Sequence, residues 1–235
     1  MFCLPLAGRS GTVRFPLRRD ALSDIFRSTM KNIITVLFLG AVWGFFEATL
    51  GGLLHVLNVP LTGQVMTAIG AGIMFFALSR GTTISGLIAI SAVAASFKFF
   101  DVFLFGFPVT HIKILNPAQA ILMQGLSFAV CARFINPLSS VLKSRVIFAF
   151  SFAFLSLALF NVLSYYLVGY KPAFEISNLL AFAKLNLPIC TLLVICALYI
   201  SELAGRVRLA LSPFMQGAAS ALLVAAAIIT RHFVA

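Results

Sequence analysis

The chain has 235 residues, of which 61% are hydrophobic and only 10% charged, and its formal net charge is +11. These values exclude an ordinary soluble domain and an intrinsically disordered chain. Long apolar runs without alternating polarity favour membrane-spanning helices over a β-barrel. The length accommodates six or seven spans of about 20 residues, so we predict an all-α, polytopic integral membrane bundle.

The positive charge does not indicate a nucleic-acid partner, because most basic residues are distributed among short loops instead of being gathered on one polar surface. The four cysteines show no metal-type spacing. The sequence contains no nucleophile elbow, phosphate-cradling loop or histidine-rich cluster. We therefore predict no cofactor, no metal site and no catalytic residue, and we expect the lipid bilayer as the first partner.

Residues 1–32 are basic and contain no apolar stretch long enough for a secretory signal. They are predicted to form a cytoplasmic N-terminal tail. Met30 is an alternative start, since Met30, Lys31 and Asn32 lead directly into the first apolar run. Residues 33–235 are predicted to form one transmembrane domain, with spans at about 33–57, 63–79, 84–105, 116–135, 146–168, 187–200 and 213–230.

The basic residues between these spans fall mainly in alternate loops, which predicts a cytoplasmic N-terminus in a bacterial inner membrane. With seven spans the C-terminus lies outside. In a six-span version the short sixth segment is the one that does not cross. An alternative for this segment is an earlier start, as a broken helix around Pro188. The cations of the predicted inside loops are Arg80, Arg133, Lys143, Arg145, Arg206 and Arg208.

Span one carries an acid, Glu47, near its middle and an imidazole, His55, two turns later. An acid inside a membrane costs about 2.5–3.5 kcal/mol on insertion scales, so it usually faces a cavity or a partner. Glu47 is therefore the first candidate for substrate binding or coupling. His55 is a candidate either for the same site or for an interfacial hydrogen bond.

Span three presents Lys98 and Asp101 three residues apart, close enough on a helix to interact. Short turns make spans one, two and three neighbours. If Glu47 and Lys98 meet, they form either a structural ion pair or the charged end of a substrate pocket, and the sequence leaves both interpretations open.

The connection after span three contains His111 and Lys113, on the same predicted outer side as His55. Both residues are candidates for a gate that attracts an anionic ligand. Asn116 followed by Pro117 is typical of a helix N-cap and first turn, and it predicts the start of span four.

The later spans add polar candidates. Gln124 lies on the inward stripe of span four, whereas Gln119 lies off that stripe near the helix entrance. Asn161, Ser164 and Tyr165 cluster in the last two turns of span five. These three would contact a ligand if they face a cavity, and would form interhelical hydrogen bonds otherwise.

Small residues recur at every fourth position of span one, at Gly40, Gly44, Ala48 and Gly52, a pattern that lets another helix approach closely. With the compact apolar bundle and the basic start, this pattern resembles the S components, the substrate-binding membrane subunits of energy-coupling factor vitamin transporters. The resemblance implies that the stripe docks on a transmembrane coupling subunit driven by paired ATPases.

The same resemblance implies that Gln124, Asn161 and Tyr165 contact a vitamin-sized ligand. We therefore expect a small-molecule capture and transport subunit that works in vitamin uptake and is not itself an enzyme. One alternative is a stand-alone proton- or ion-coupled carrier in which Glu47 exchanges a proton. The second is a membrane-bound enzyme or assembly factor with Glu47 and His55 as acid-base groups.

Overall fold

The computed structural model describes residues 18–51, 53–54, 57, 59, 61–100, 102, 106, 108–168, 176–206, 219–220 and 222–223. Within these residues the chain is helical and has no strand. The helices are α1 (Arg18–Phe46), α2 (Thr62–Ser79), α3 (Ile84–Ser96), α4 (Ile112–Phe134), α5 (Leu142–Val168) and α6 (Ile176–Arg206). A π-helical turn, Glu47–Gly51, continues α1, and a 3-10 turn, Phe97–Phe99, continues α3.

Five helical stretches in the described residues are long and apolar enough to cross a membrane: Thr29–Gly51, Thr62–Ser79, Ile114–Phe134, Leu142–Tyr166 and Ala183–Gly205. The segment Ile84–Phe99 is apolar but shorter. These lengths and compositions support the predicted all-α membrane protein. Nearly all of the predicted last span, residues 213–230, lies outside the described residues.

Contacts between helix ends show how α2, α5 and α6 run. Gln64, near the start of α2, is hydrogen-bonded to Asn186 of α6. At the other end, the guanidinium of Arg80, which follows α2, donates to the Gly205 carbonyl near the end of α6, at 3.4 Å. The helices α2 and α6 are therefore parallel. Arg145, near the start of α5, pairs with Glu202 near the end of α6, so α5 is antiparallel to both.

Two ends of the bundle are distinguished below. The polar end is where α1, α3 and α5 finish and α2, α4 and α6 begin; it contains Glu47, Gln64, Lys98, Asn116, Gln119, Ser164 and Asn186. The basic end is the opposite one; it contains Arg80, Arg133, Lys143, Arg145 and Glu202.

The core is aromatic toward the basic end. Phe128 of α4 makes edge-on contacts with Phe148 and Phe152 of α5, with ring centroids 5.0 and 5.6 Å apart, and all three rings are fully buried. Trp43 of α1 is also fully buried, and its ring packs on Gly70 of α2. A β-carbon at Gly70 would lie 2.4 Å from that ring, so this helix contact depends on glycine.

Two helices begin earlier than residues 116 and 187, the starts predicted for spans four and six. Helix α4 begins at Ile112, not at an N-cap on Asn116, because the His111 carbonyl already accepts from the amides of Ile114 and Leu115. Pro117 therefore lies inside the helix, where it removes a single backbone hydrogen bond near the first turns. Similarly, α6 begins at Ile176 and continues through Pro188, so the segment predicted to be a short sixth span is the latter part of a 31-residue helix.

Candidate functional site

An ion pair joins the ends of α1 and α3. Lys98 Nζ lies 3.9 Å from Glu47 Oε1, and the two side chains are only 7% and 13% exposed. The same ammonium donates to the backbone carbonyl of Glu47 at 3.2 Å. The two charges that the sequence analysis singled out therefore do meet. Asp101, the other predicted neighbour of Lys98, lies outside the described residues, so that contact stays a prediction.

Both partners of this ion pair sit where the helical backbone changes its hydrogen-bonding pattern. Glu47 opens the π-helical turn, and Lys98 is the middle residue of the 3-10 turn. Single π turns inside α-helices are rare and are often found at functional sites. Glu47 also lies four residues from the end of the apolar stretch Thr29–Gly51. Because Gly52 lies outside the described residues, the depth of Glu47 within span one stays a prediction.

Gln124 lies inside the bundle, as expected from its stripe, and is 8% exposed. Its side-chain amide donates to Thr67 Oγ1 of α2 at 2.9 Å, and Thr67 Oγ1 in turn donates to the Gly63 carbonyl at 2.7 Å. This relay links α4 to the first turns of α2. A role for Gln124 in ligand binding stays a prediction.

Gln119 is buried more completely than Gln124, at 3% exposure, although the sequence analysis placed it off the inward stripe. Its Nε2 donates to Ser164 Oγ of α5 at 2.6 Å and to Asn116 Oδ1 at 3.1 Å. Its Oε1 is buried with no hydrogen-bond partner among the described residues. Five residues separate the two glutamines, which is a rotation of about 140° on a helix. Gln124 therefore faces α2 while Gln119 faces α5.

The predicted cluster on α5 is only partly internal. Ser164 is buried at 6% exposure and is hydrogen-bonded to α4. Asn161 donates to the Leu157 carbonyl of its own helix at 2.8 Å. Tyr165 is 39% exposed and makes an edge-on contact with Tyr166. A step of one residue turns a side chain by about 100°, so Tyr165 lies on a different face of α5 from Ser164. A ligand contact for Tyr165 stays a prediction.

The gate candidates are placed only in part. His111 is half-buried, and its backbone carbonyl accepts the first amide hydrogen bonds of α4. The side chain of Lys113 lies outside the described part of the chain, as do His55 and Gly52. A gating role for His111 and Lys113 therefore stays a prediction.

The small-residue stripe of α1 makes its close helix contact within the chain. A β-carbon at Gly40 would lie 2.6 Å from Val93 Cβ, and one at Gly44 would lie 2.5 Å from the Phe97 ring. Ala48 is also buried and packs in a cluster with Phe97. Because α3 and its 3-10 turn already occupy this face, Gly40 and Gly44 do not present an open surface to a separate coupling subunit.

A second ion pair lies at the basic end and was not predicted as a site. Arg145 Nη1 lies 2.8 Å from Glu202 Oε2, and Arg145 is 3% exposed. Its Nε donates to the Ser139 carbonyl at 2.8 Å, and its guanidinium lies over the Tyr199 ring at 4.6 Å. Arg145 was predicted to lie in a loop with Arg133 and Lys143, just before span five. Its position directly before the apolar run that begins at Val146 was the signal that could have found it.

Gln64 of α2 and Asn186 of α6 form a further side-chain pair at the polar end. Within the described residues, no three His, Cys, Asp or Glu side chains lie together as metal ligands would. Comparison with known proteins finds no matching family model, no matching curated protein and no matching solved structure.

Proposed function

We propose that this chain is a membrane-embedded subunit that captures a small, vitamin-like metabolite at its polar end and takes part in its transport. In this proposal the bundle has six or seven spans, its N-terminus is cytoplasmic, and it lies in a bacterial inner membrane. The proposed role is that of an S component of an energy-coupling factor transporter, so active uptake requires a coupling subunit and ATPases.

One observation carries the proposal: every described helix contributes a buried or half-buried hydrogen-bonding side chain, and these side chains lie at the polar end of the bundle or between that end and its middle. Four groups contribute, namely Glu47 with Lys98, Gln64 with Asn186, Thr67 with Gln124, and Asn116 with Gln119 and Ser164. Polar groups inside an apolar bundle are costly unless they are paired or used. Toward the basic end the helices are packed by aromatic rings and joined by one further ion pair, Arg145 with Glu202.

The unsatisfied oxygen of Gln119 adds to this argument. A buried amide oxygen without a partner costs about 1–3 kcal/mol, and a ligand or water that donates a hydrogen bond at this position removes that cost. The neighbouring Asn116 and Ser164 side chains are uncharged and already hold the amide in place. We therefore place one hydrogen-bond donor of the proposed ligand at Gln119 Oε1.

The resemblance to S components needs one adjustment. Since Gly40 and Gly44 contact α3 of the same chain, the coupling subunit in this proposal docks on another face of the bundle. The stripe then acts inside the subunit, where it holds α1 against α3 and so sets the position of Glu47 relative to Lys98.

A second candidate function, a stand-alone ion-coupled carrier, is favoured by a different observation. Ion pairs lie within apolar stretches at both ends of the bundle, Glu47 with Lys98 at one and Arg145 with Glu202 at the other. In a carrier of this kind, opening one end breaks one pair while the other stays closed. Glu47 would then exchange a proton as its pair opens.

The test of the capture proposal is mass spectrometry of small molecules that stay bound to the purified full chain. We expect one compound to be enriched with the wild type and reduced about tenfold with Glu47→Gln, a loss of about 1.4 kcal/mol in binding free energy. Glu202→Gln makes the same chemical change in the other ion pair and is the matched control. Equal losses in both variants, or no bound compound besides lipid and detergent, would contradict the proposal.

Transport in proteoliposomes separates the two candidates once that compound is known. A capture subunit binds it but accumulates it only with coupling subunit and ATPases present. A stand-alone carrier accumulates it under an ion gradient without nucleotide, and Glu47→Gln changes the pH dependence of that transport.

A further inference from the structure

The connection between α4 and α5 exposes large apolar side chains at the basic end. Phe134, the last residue of α4, is 82% exposed, and Leu138, Val141 and Leu142 are 43%, 58% and 57% exposed. The apolar stretches on either side end at Phe134 and begin at Leu142. This short connection therefore lies at the membrane boundary, where exposed apolar groups meet lipid headgroups and the first carbons of the acyl chains.

The backbone of this connection is hydrogen-bonded by its own side chains. Asn136 Oδ1 accepts from the amide of Leu138 at 3.0 Å, and Ser139 Oγ accepts from the amide of Val141 at 3.2 Å. Ser144 Oγ donates to the Asn136 carbonyl at 3.0 Å. Backbone groups without partners are costly in a poorly hydrated environment, so these hydrogen bonds lower the cost of placing the connection at the membrane surface.

Arg145 holds the connection from the protein side. Its Nε donates to the Ser139 carbonyl while its Nη1 pairs with Glu202 of α6. Since Arg145 is itself buried, these two contacts attach the connection to the bundle while its apolar side chains stay exposed.

Two exposed cations, Arg133 and Lys143, flank the apolar residues. Glu202 is the acidic residue among the side chains that the structure describes at this end, and its carboxylate is paired with the buried Arg145. The charge that this surface presents is therefore positive. Apolar side chains between basic residues are typical of protein segments that lie in the headgroup region of a membrane carrying anionic lipid.

We propose that residues 133–143 form an interfacial anchor that binds an anionic phospholipid. Arg133 and Lys143 contact the headgroup phosphate, and Phe134, Leu138, Val141 and Leu142 enter the layer just beneath it. This anchor is independent of the metabolite site at the polar end. It fixes the depth of the basic end in the leaflet that carries the anionic lipid.

The charge part of the proposal is tested by titrating the purified full chain with phosphatidylglycerol and, separately, phosphatidylcholine, and counting bound lipid by native mass spectrometry. A basic residue near an anionic surface contributes about 1 kcal/mol, so Arg133→Gln and Lys143→Gln should each weaken phosphatidylglycerol binding about fivefold. Lys184→Gln, an exposed lysine of α6 near the polar end, is the matched control and should leave binding unchanged. Equal losses in all three variants, or no preference over phosphatidylcholine, would overturn the proposal.

The depth part is tested with a fluorescent label on Leu138→Cys in a background without native cysteines, in phosphatidylglycerol vesicles. Lipids with a nitroxide near the top of the acyl chain should quench this label more than a water-soluble quencher does. A label on Ser140→Cys, exposed in the same connection, should show the reverse order. If only the aqueous quencher reaches the Leu138 label, the connection lies in water. If neither quencher reaches the label, a protein partner covers it. Either result would overturn the anchor.

Discussion

The ammonium group of Lys98 contacts two oxygen acceptors of Glu47, its carboxylate and its backbone carbonyl. The carboxylate contact is long, at 3.9 Å, and the carbonyl contact is shorter, at 3.2 Å. A buried ion pair on its own is weak evidence of stability, because the desolvation of both charges opposes their attraction. The added carbonyl contact ties Lys98 to the backbone of α1 and makes the position of the ammonium specific.

Removing one charge of this pair should lower the free energy of unfolding more than removing both charges does. We expect Lys98→Met to lower the free energy of unfolding by about 3–5 kcal/mol, because it leaves the Glu47 carboxylate buried without its cation. The double variant Lys98→Met with Glu47→Gln should recover part of that loss. Denaturant unfolding in detergent micelles measures both. A double variant that is as unstable as the sum of the two single variants would show that the charges do not interact.

The side chains at the polar end differ in how far the sequence could predict them. Glu47 and Lys98 were found because a charge in an apolar run is conspicuous at any rotation. Gln119 was set aside because a single inward stripe was assumed for span four. A helix that packs against several neighbours has more than one inward face, and in α4 two such faces carry Gln124 and Gln119. A sequence by itself does not state how many neighbours a helix has.

At the scale of helix pairs, small residues decide how close two helices come. Ser91 of α3 and Gly125 of α4 are in contact, and a β-carbon at Gly125 would lie 1.9 Å from Ser91 Oγ. At Gly63, at the start of α2, there is room for a side chain, because a β-carbon there would have no neighbour within 4 Å. These two glycines allow a matched comparison.

Gly125→Ala should lower the free energy of unfolding by about 1–3 kcal/mol, the usual effect of overpacking a core. Gly63→Ala should be neutral or slightly stabilising, because alanine is the better helix former. The double variant Gly125→Ala with Ser91→Gly removes the side chain that the new methyl group would meet, so it should restore most of the lost stability. Thermal unfolding of the wild type and the three variants checks this, and a double variant no more stable than Gly125→Ala would refute the packing explanation.

The contact between α1 and α3 should make the effect of a packing change at Gly44 depend on the Lys98 ion pair. Gly44→Ala pushes against the Phe97 ring, where a β-carbon would be 2.5 Å away, and Phe97 precedes Lys98. We expect the losses from Gly44→Ala and Lys98→Met to be non-additive by about 0.5–3 kcal/mol, because residues in contact share one backbone shift. A double-mutant cycle measures the coupling. Strict additivity would mean that the 3-10 turn does not transmit the shift.

For the whole molecule, the arrangement of α2 beside α6 is open to a direct test. A β-carbon at Gly72 of α2 would lie 3.5 Å from Ala197 Cβ of α6, which is within the range for a disulfide. The variant Gly72→Cys with Ala197→Cys, in a background without native cysteines, should therefore cross-link under mild oxidation. Gly63→Cys with Ala197→Cys is the control, since Gly63 lies at the start of α2, has no neighbour within 4 Å, and should stay reduced.

Gel mobility before and after reduction reads out both cysteine pairs. A cross-link in the control, or none in the Gly72 pair, would contradict the contact between these faces of α2 and α6. The packing of the two helices also places Arg80 and Glu202 at the same end as Arg145.

The sequence by itself determined that this is a helical protein suited to a membrane, that Glu47 and Lys98 are unusual within it, and that the face of α1 bearing Gly40 and Gly44 meets another helix. Composition and helical period are enough for these conclusions, since they depend on which residues share a run or a face. The tertiary structure alone decided that Lys98 pairs with Glu47, that Gln119 and Arg145 are buried, and that Tyr165 is not. Those outcomes depend on the depth and rotation of each helix against its neighbours, which are set by contacts between residues far apart in the chain.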